Sequence, residues 1–434
     1  MSPRKGIIEG FYGSPWTDVE RIHMVEFAAD HGFTHFLYAP KHDPYIREIW
    51  REVALTSDRK AHLDAWVAKA KERKLTPGFA VAPGLDVSFA DDTDQRCLNK
   101  KVGYLVESGI EEIALLFDDI DPTLKDADHQ RFVNYAEAQA VMANRLVEYL
   151  GEVGSPGIQI TFCPTEYWGL QNTWYKAVLA RVLRPEISVF WTGRQICSES
   201  IVASEARRAE ELFQHPIVIW DNYPVNDAEM VHEIHLGPLE GRGPDLLSGV
   251  EGYYVNPMSR PNASKIALIT VGEYLTDPEH YDPWQAHTRA IEHWGAEYSR
   301  SLAELSWVTR YSCCGQGSQY ESAVRECSEP NLPPALEDLL SRWVRCAPSE
   351  LPAPLYSELE PWISKLQALA RWVSELPSGN VSTVRALESA VFGNPSLVLG
   401  HAIERWVERV RADQRSGEGR SELINTPSRQ TDVV

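Results

Sequence analysis

Apolar positions along the chain follow two rhythms: short continuous runs, and longer stretches in which an apolar residue recurs every three or four positions. The runs fall at 7–11 (IIEGF), 33–39 (FTHFLYA), 77–82 (PGFAVA), 112–118 (EIALLFD), 158–163 (IQITFC), 187–192 (ISVFWT), 216–221 (PIVIWD) and 249–255 (GVEGYYV). Rich in β-branched and aromatic residues, they predict strands buried on both faces, as in a parallel sheet. The slower rhythm predicts helices at 18–31, 59–74, 94–108, 128–150, 199–213 and 262–275. Asp18, Asp94 and Asp128 stand where amino-terminal caps belong, and Gly32 and Gly151 stand just past carboxyl ends. Eight strand–helix units over about 275 residues match a (β/α)8 barrel, an α/β TIM-barrel fold, in count and length. A doubly wound open sheet is the alternative. It often carries a glycine-rich phosphate loop, and GFYGSP at 10–15 is too loose for that fingerprint.

Past residue 280 the texture becomes wholly helical. A turn-rich joint, DPEHYDPW (277–284), leads into amphipathic stretches at about 284–309, 334–347, 355–376 and 380–412, clearest in WISKLQALARWV (362–373) and AIERWVERVRA (402–412). They predict a helical bundle whose tryptophans form core. Residues 413–434 lack apolar periodicity and read as a disordered tail. The expected organisation is a barrel over 1–278, a helical bundle over 279–412 and a tail over 413–434.

Composition narrows the class. With 434 residues, 43% hydrophobic and 10% aromatic, the chain can bury one large core and a smaller second one. Acidic residues number 62 against 42 basic, a formal charge of -20, and no basic patch breaks the excess. That disfavours nucleic acid and anionic membranes as partners. The seven cysteines form no CxxC pair, so neither a disulfide framework nor a zinc cluster is suggested, and reduced thiols are expected. MSPRKGIIEG enters the first strand without a signal-peptide core, and no stretch approaches the roughly 20 apolar residues of a membrane span. Cytoplasm is the expected compartment.

Candidate chemistry concentrates where strands end. The run at 112–118 stops in two adjacent carboxylates, Asp118 and Asp119, at the mouth where α/β barrels place their active sites. Other strand ends carry GFYG (10–13), YAPK (38–41), APGLD (82–86), CPTEY (163–167), WTG (191–193), WDNYPVND (220–227) and VNP (255–257). Interleaved aromatic, amide and carboxylate groups suit a sugar, since ring faces cover C–H patches while polar groups bond hydroxyls. Neighbours on an ideal strand point to opposite faces, so both acids can face one pocket only if the strand has ended between them. A cation site built from Asp118, Asp119 and Asp121, or a solvated cap, is the competing reading. Asp86 and Glu166 also follow strands, and are read as tying loops together.

Six of these segments, GFYG, YAPK, LLFDDID (115–121), CPTEY, WDNYPVND and NP (256–257), occur in an order that resembles glycoside hydrolase family 84 across residues 5–275. That family contains the O-GlcNAcases and related bacterial β-N-acetylglucosaminidases. The resemblance implies a retaining exo-β-N-acetylglucosaminidase that works by substrate assistance: the sugar's 2-acetamido oxygen attacks the anomeric carbon and forms an oxazoline. Asp118 then orients and polarises the acetamido N–H, and Asp119 protonates the leaving oxygen and later activates water. The two acids need different proton affinities, and burial of Asp119 beside the Asp118 charge is expected to supply the difference.

By the same resemblance Asn222 holds the acetamido carbonyl, Asp227 the sugar hydroxyls, and Asn256 and Lys41 further hydroxyls. Gly10 offers its backbone carbonyl. Tyr167 and Trp220 line the acetyl pocket with Cys163 at its floor, and Tyr12 lies near the sugar or its peptide aglycone. No cofactor or metal is implied, and the partners are GlcNAc-bearing proteins or glycans, with a homodimer left open. Against the family, the sequence reads as starting at the barrel, so the preceding domain of several secreted bacterial members and the long insertion and acetyltransferase-like domain of animal enzymes are not expected. The terminal sugar is therefore what the resemblance specifies. The competing functions are a hexosaminidase acting on free or cell-wall-derived oligosaccharides, and a non-catalytic binder of O-GlcNAc proteins.

Overall fold

The computed structural model describes residues 3–310, 312, 334–344, 351–375, 381–398, 406 and 408. Eight parallel strands close into a barrel in sequential order: β1 (Arg4–Glu9), β2 (His35–Tyr38), β3 (Thr76–Val81), β4 (Glu112–Leu116), β5 (Gln159–Cys163), β6 (Ser188–Trp191), β7 (Ile217–Asp221) and β8 (Gly252–Val255). β8 closes on β1 with Ile7 opposite Val255. Each apolar run yields a strand, so the fold is the TIM barrel expected of eight such units. The runs read as continuously apolar because both faces of nearly every strand are buried, one toward the barrel interior and one under helices.

The helices are α1 (Asp18–Asp30), α2 (Ser57–Glu72), α3 (Asp92–Glu107), α4 (Tyr135–Glu152), α5 (Trp174–Val182), α6 (Ala203–Phe213), α7 (Pro261–Thr276) and α8 (Pro283–Glu292). Their starts correct several sequence expectations. Thr17, not Asp18, caps α1, in a reciprocal box with Glu20. Asp91 caps α3, which frees Asp94 to accept from the Ser88 N–H and to pair with Arg51. Asn134 caps α4, while Asp128 lies buried in a short 3-10 turn and accepts from the Ala90 N–H at 2.7 Å. Gly151 falls inside α4, and Gly154, with φ +77°, is the residue past the helix that takes the left-handed conformation.

The chain divides into two compact units. One comprises the described residues of Met1–Val231 together with His235–Ser299, and the other takes His232–Ile234 and most of the described chain from Arg300 onward. α8, which the amphipathic pattern groups with the later helices, lies in the barrel unit and packs against α7. The stretch expected as one helix over 284–309 is broken into α8 and Ser299–Val308, with Gly295 at φ +121° between them. In the second unit, helices Pro334–Trp343 and Val381–Gly393 both pack against Ala353–Glu375. Trp343, Trp362 and Trp372 are buried there as core. The tail expected at 413–434, most of the helix expected up to 412, and Cys313, Cys314, Cys327 and Cys346 lie outside the described residues. Among the described residues no helix is long and apolar enough to cross a membrane.

Candidate active site

At the carboxyl ends of the strands lies a cavity of about 730 Å³. Gly10, Tyr12, Lys41, Asp118, Asp119, Cys163, Tyr167, Trp220, Asn222, Asp227 and Asn256 all line it. The sequence-derived site is therefore one place in space. A second hollow of about 800 Å³ sits at the opposite end, where Arg4, Gln159, Ser188 and Glu251 lie at or just before strand starts.

The acid pair faces one cavity because β4 stops early. Its last strand residue is Leu116, two positions before Asp118, whereas the apolar run continues through Phe117. Asp119 then adopts φ +52°, the left-handed region that aspartate tolerates better than most residues. The turn swings the second side chain back toward the same side as the first.

The two carboxylates have different surroundings. Asp118 is buried and ion-paired with the buried Lys41, whose Nζ also lies 5.3 Å from the centre of the Trp220 ring. Burial alone would lower the Lys41 pKa, but the Asp118 charge outweighs it and the ammonium is held above its ordinary value. Lys41, expected as a hydroxyl contact, thus spends its charge on Asp118. Asp119 is exposed, so the burial expected to distinguish it from its neighbour is not built into the open site. Each of its carboxyl oxygens instead accepts a phenol: Tyr12 Oη at 2.8 Å and Tyr167 Oη at 2.9 Å. Burial raises the pKa of both tyrosines above the usual phenol range, so they remain donors at neutral pH.

Amides and aromatics interlock around the pair. Trp220 Nε1, which can only donate, points at Asn222 at 2.9 Å, so the atom facing it must be the carbonyl Oδ1. Asn256 Nδ2 donates to the same oxygen at 3.0 Å, and Asn222 Nδ2 donates to the Ile196 carbonyl at 2.8 Å. One N–H of Asn222 remains for a ligand acceptor. Asn256 Oδ1 receives the Gly10 N–H at 3.2 Å, tying β8 to β1. A Cβ on Gly10 would stand 2.6 Å from Trp220 Cζ2, so glycine is required where the indole ring crosses the backbone. Asp227 precedes a 3-10 turn but makes no capping bond; its Oδ2 accepts the Tyr12 N–H at 2.6 Å. Burial raises its pKa above the usual carboxylate value. Cys163 is buried at the cavity wall, where burial first and the Asp118 charge second keep it a thiol.

Other strand-end acids serve the scaffold. Asp86 accepts from Trp50 Nε1 and pairs with Arg51, and Glu166 accepts from Thr173, so both tie loops as expected. Asp221 alternates outward from Trp220 and takes two bonds from the buried Arg242, at 2.6 and 2.7 Å. Asp121 does not line the cavity, which leaves the proposed three-carboxylate cation site without its third ligand. Sequence reasoning missed Trp168, Gln195, Ile196 and Met230, which are among the further residues of the wall, and Arg47 behind it. Trp168 directly follows the CPTEY segment and is 42% exposed. Lys176 holds its loop by donating to the carbonyls of Trp168, Gly169 and Gln171.

A closed parallel barrel that gathers an acid pair, aromatic walls and oriented amides at the carboxyl-terminal rim has the arrangement of the barrel-type glycoside hydrolases. Residues 5–306 match the family model described as beta-N-acetylglucosaminidase (NAGidase), and the chain belongs to that family. The protein O-GlcNAcases of Rattus norvegicus and Mus musculus are each 31% identical over 275 residues, covering 62% of this chain. The chain matches only 29% of the length of those relatives. A solved structure of a mutant Thermobaculum terrenum O-GlcNAc hydrolase superimposes with a TM-score of 0.86 at 28% identity, covering 97% of each chain. The structure titled CpGH84B shares the fold, with a TM-score of 0.79 over 94% of this chain and 77% of that one, at 23% identity.

Proposed function

We propose that this chain is a retaining exo-β-N-acetylglucosaminidase that removes O-linked N-acetylglucosamine from serine and threonine of proteins, without metal or cofactor. The observation that carries the mechanism is the pair of consecutive aspartates facing one cavity from a single strand end. Retaining glycosidases with a protein nucleophile hold two carboxyl groups on either side of the scissile bond, about 5–5.5 Å apart. Consecutive residues beside one another suit a different division of labour, in which the acetamido oxygen of the sugar is the nucleophile. Asp118, fixed by Lys41, accepts the acetamido N–H and stabilises the positive charge of the forming oxazoline. Asp119 gives its proton to the leaving oxygen and afterwards takes one from water. Exclusion of water from the open Asp119 side arrives with the sugar. Asn222 offers its remaining N–H, Asp227 and Asn256 meet hydroxyls, and Trp220, Tyr167 and Cys163 enclose the acetyl methyl.

The protein aglycone is supported by the names of the relatives and by the apolar Trp168 and Ile196 at the cavity wall, both partly exposed. Turnover of O-GlcNAc-modified peptides against chitobiose-like oligosaccharides tests it. Peptides should be the better substrates, and proton NMR should detect the β-anomer of the free sugar first. Cleavage of oligosaccharides alone would reassign the aglycone; the α-anomer appearing first would remove the oxazoline route.

A further inference from the structure

Arg47 belongs to none of the strand-end motifs and does not line the cavity, yet its guanidinium joins one of the two phenols that hold Asp119 to the main chain of Asp119 itself. Nη1 donates to the Tyr12 hydroxyl oxygen at 3.0 Å, and Nη2 donates to the backbone carbonyl of Asp119 at 3.0 Å. Its central carbon lies 5.8 Å from the centre of the Tyr12 ring. A guanidinium has only donors, so it occupies an acceptor position on the phenol oxygen and leaves that oxygen's single proton to point at Asp119 Oδ2, 2.8 Å away. The carbonyl it holds belongs to a residue at φ +52°, and it is the atom that would move if that turn relaxed. The fork therefore fixes the acid twice, through its main chain and through the hydroxyl bonded to its carboxyl. Arg47 is itself only 9% exposed, so the clamp is packed in place.

We propose that Arg47 is a positioning residue for proton transfer by Asp119, acting through Tyr12 and the Asp119 main chain; the inference rests on the glycosidase reading above. An acid that drifts by a fraction of an ångström still admits the sugar but delivers its proton poorly. The loss should therefore scale with how much the leaving group needs that proton. Lysine is a point charge without the rigid planar fork that reaches the two oxygens from two separate nitrogens, so it should not restore the function in full.

The test compares wild type with Arg47→Met and Arg47→Lys on aryl N-acetyl-β-glucosaminides of graded leaving-group acidity, together with affinity for a GlcNAc-oxazoline mimic. In both variants kcat/KM on the least acidic leaving group should fall about 10- to 100-fold, and kcat/KM on the most acidic one, where cleavage needs little proton donation, should change less than about 3-fold. KM and mimic affinity should hold within about 3-fold, which also shows that the site is still folded. Equal losses across the series, no loss anywhere, full recovery in Arg47→Lys, or abolished mimic binding would each overturn the assignment. A wild-type chain that cleaves none of the series removes the glycosidase reading itself, and that result is separable from a misbehaving variant of an active enzyme.

Discussion

Two neighbouring aspartates do different work only if their surroundings differ, and those surroundings come from residues far away in sequence. Lys41 reaches Asp118 from the end of β2, while Tyr12 and Tyr167 reach Asp119 from the ends of β1 and β5. Asp119→Asn should lower turnover of poor leaving groups by about 10²- to 10⁴-fold and recover substantially on very acidic ones. Asp118→Asn should cost about 10²- to 10³-fold on every leaving group, because oxazoline charge develops whatever departs. Parallel leaving-group plots for the two variants would sink this split. Residue identities were legible because motifs spell them out in order, and all of them meet in one cavity. Directions were not. A left-handed φ at Asp119 and a strand that stops at Leu116 follow from tertiary pairing, and the run EIALLFD carries no mark of either. Arg47 was invisible for the same reason, since an arginine in a loop becomes informative only when its partners are known.

At the scale of elements, the segment after β2 that bears Arg47 is held from outside the barrel by α3. Lys101 Nζ donates to the carbonyls of Tyr45 and Glu52, at opposite ends of that segment, and lies 3.2 Å from the Tyr45 ring centre. Burial pulls the Lys101 pKa down from 10.5 to about 7. In the unfolded chain the ammonium keeps its ordinary pKa of about 10.4. Between those two values the unfolded state binds the extra proton, so the Lys101 contribution to stability rises with pH across that window and is flat below it. Scanning calorimetry of wild type and Lys101→Met from pH 6.5 to 9.5 should show the wild-type melting temperature gaining on the variant as pH increases. A constant or shrinking difference contradicts the native pKa. Strand existence and order could be read from the sequence because strands buried on both faces are mostly apolar. Helix starts were read less well: Asp18, Asp94 and Asp128 look like caps, but Thr17, Asp91 and Asn134 hold that position, since several polar residues compete for each start and loop packing chooses among them.

For the molecule as a whole, the barrel divides its polar interior by end. The carboxyl-terminal end holds the cavity and its open carboxylate, and the amino-terminal end holds a buried network whose side chains bond no site residue, although its Tyr254 pairs in register with Trp220. There Arg4 of β1 donates to Glu112 of β4 at 2.9 Å and to Thr161 of β5 at 2.9 Å, and Tyr254 of β8 donates to Glu112 at 2.5 Å. Four strands from around the barrel thus share one charge pair, with Arg4 and Glu112 both buried. Breaking a buried pair by removing one member leaves an uncompensated charge, which costs about 3–5 kcal/mol. Glu112→Ala should lower stability by about that amount in urea unfolding, while kcat of the remaining folded enzyme stays near wild type, because the ends of a barrel strand are occupied by separate tasks. A Glu112→Ala chain that unfolds within about 1 kcal/mol of wild type would show the network to be dispensable. One that folds normally but loses turnover would show instead that the two ends are coupled through β4, whose far end carries Asp118 and Asp119.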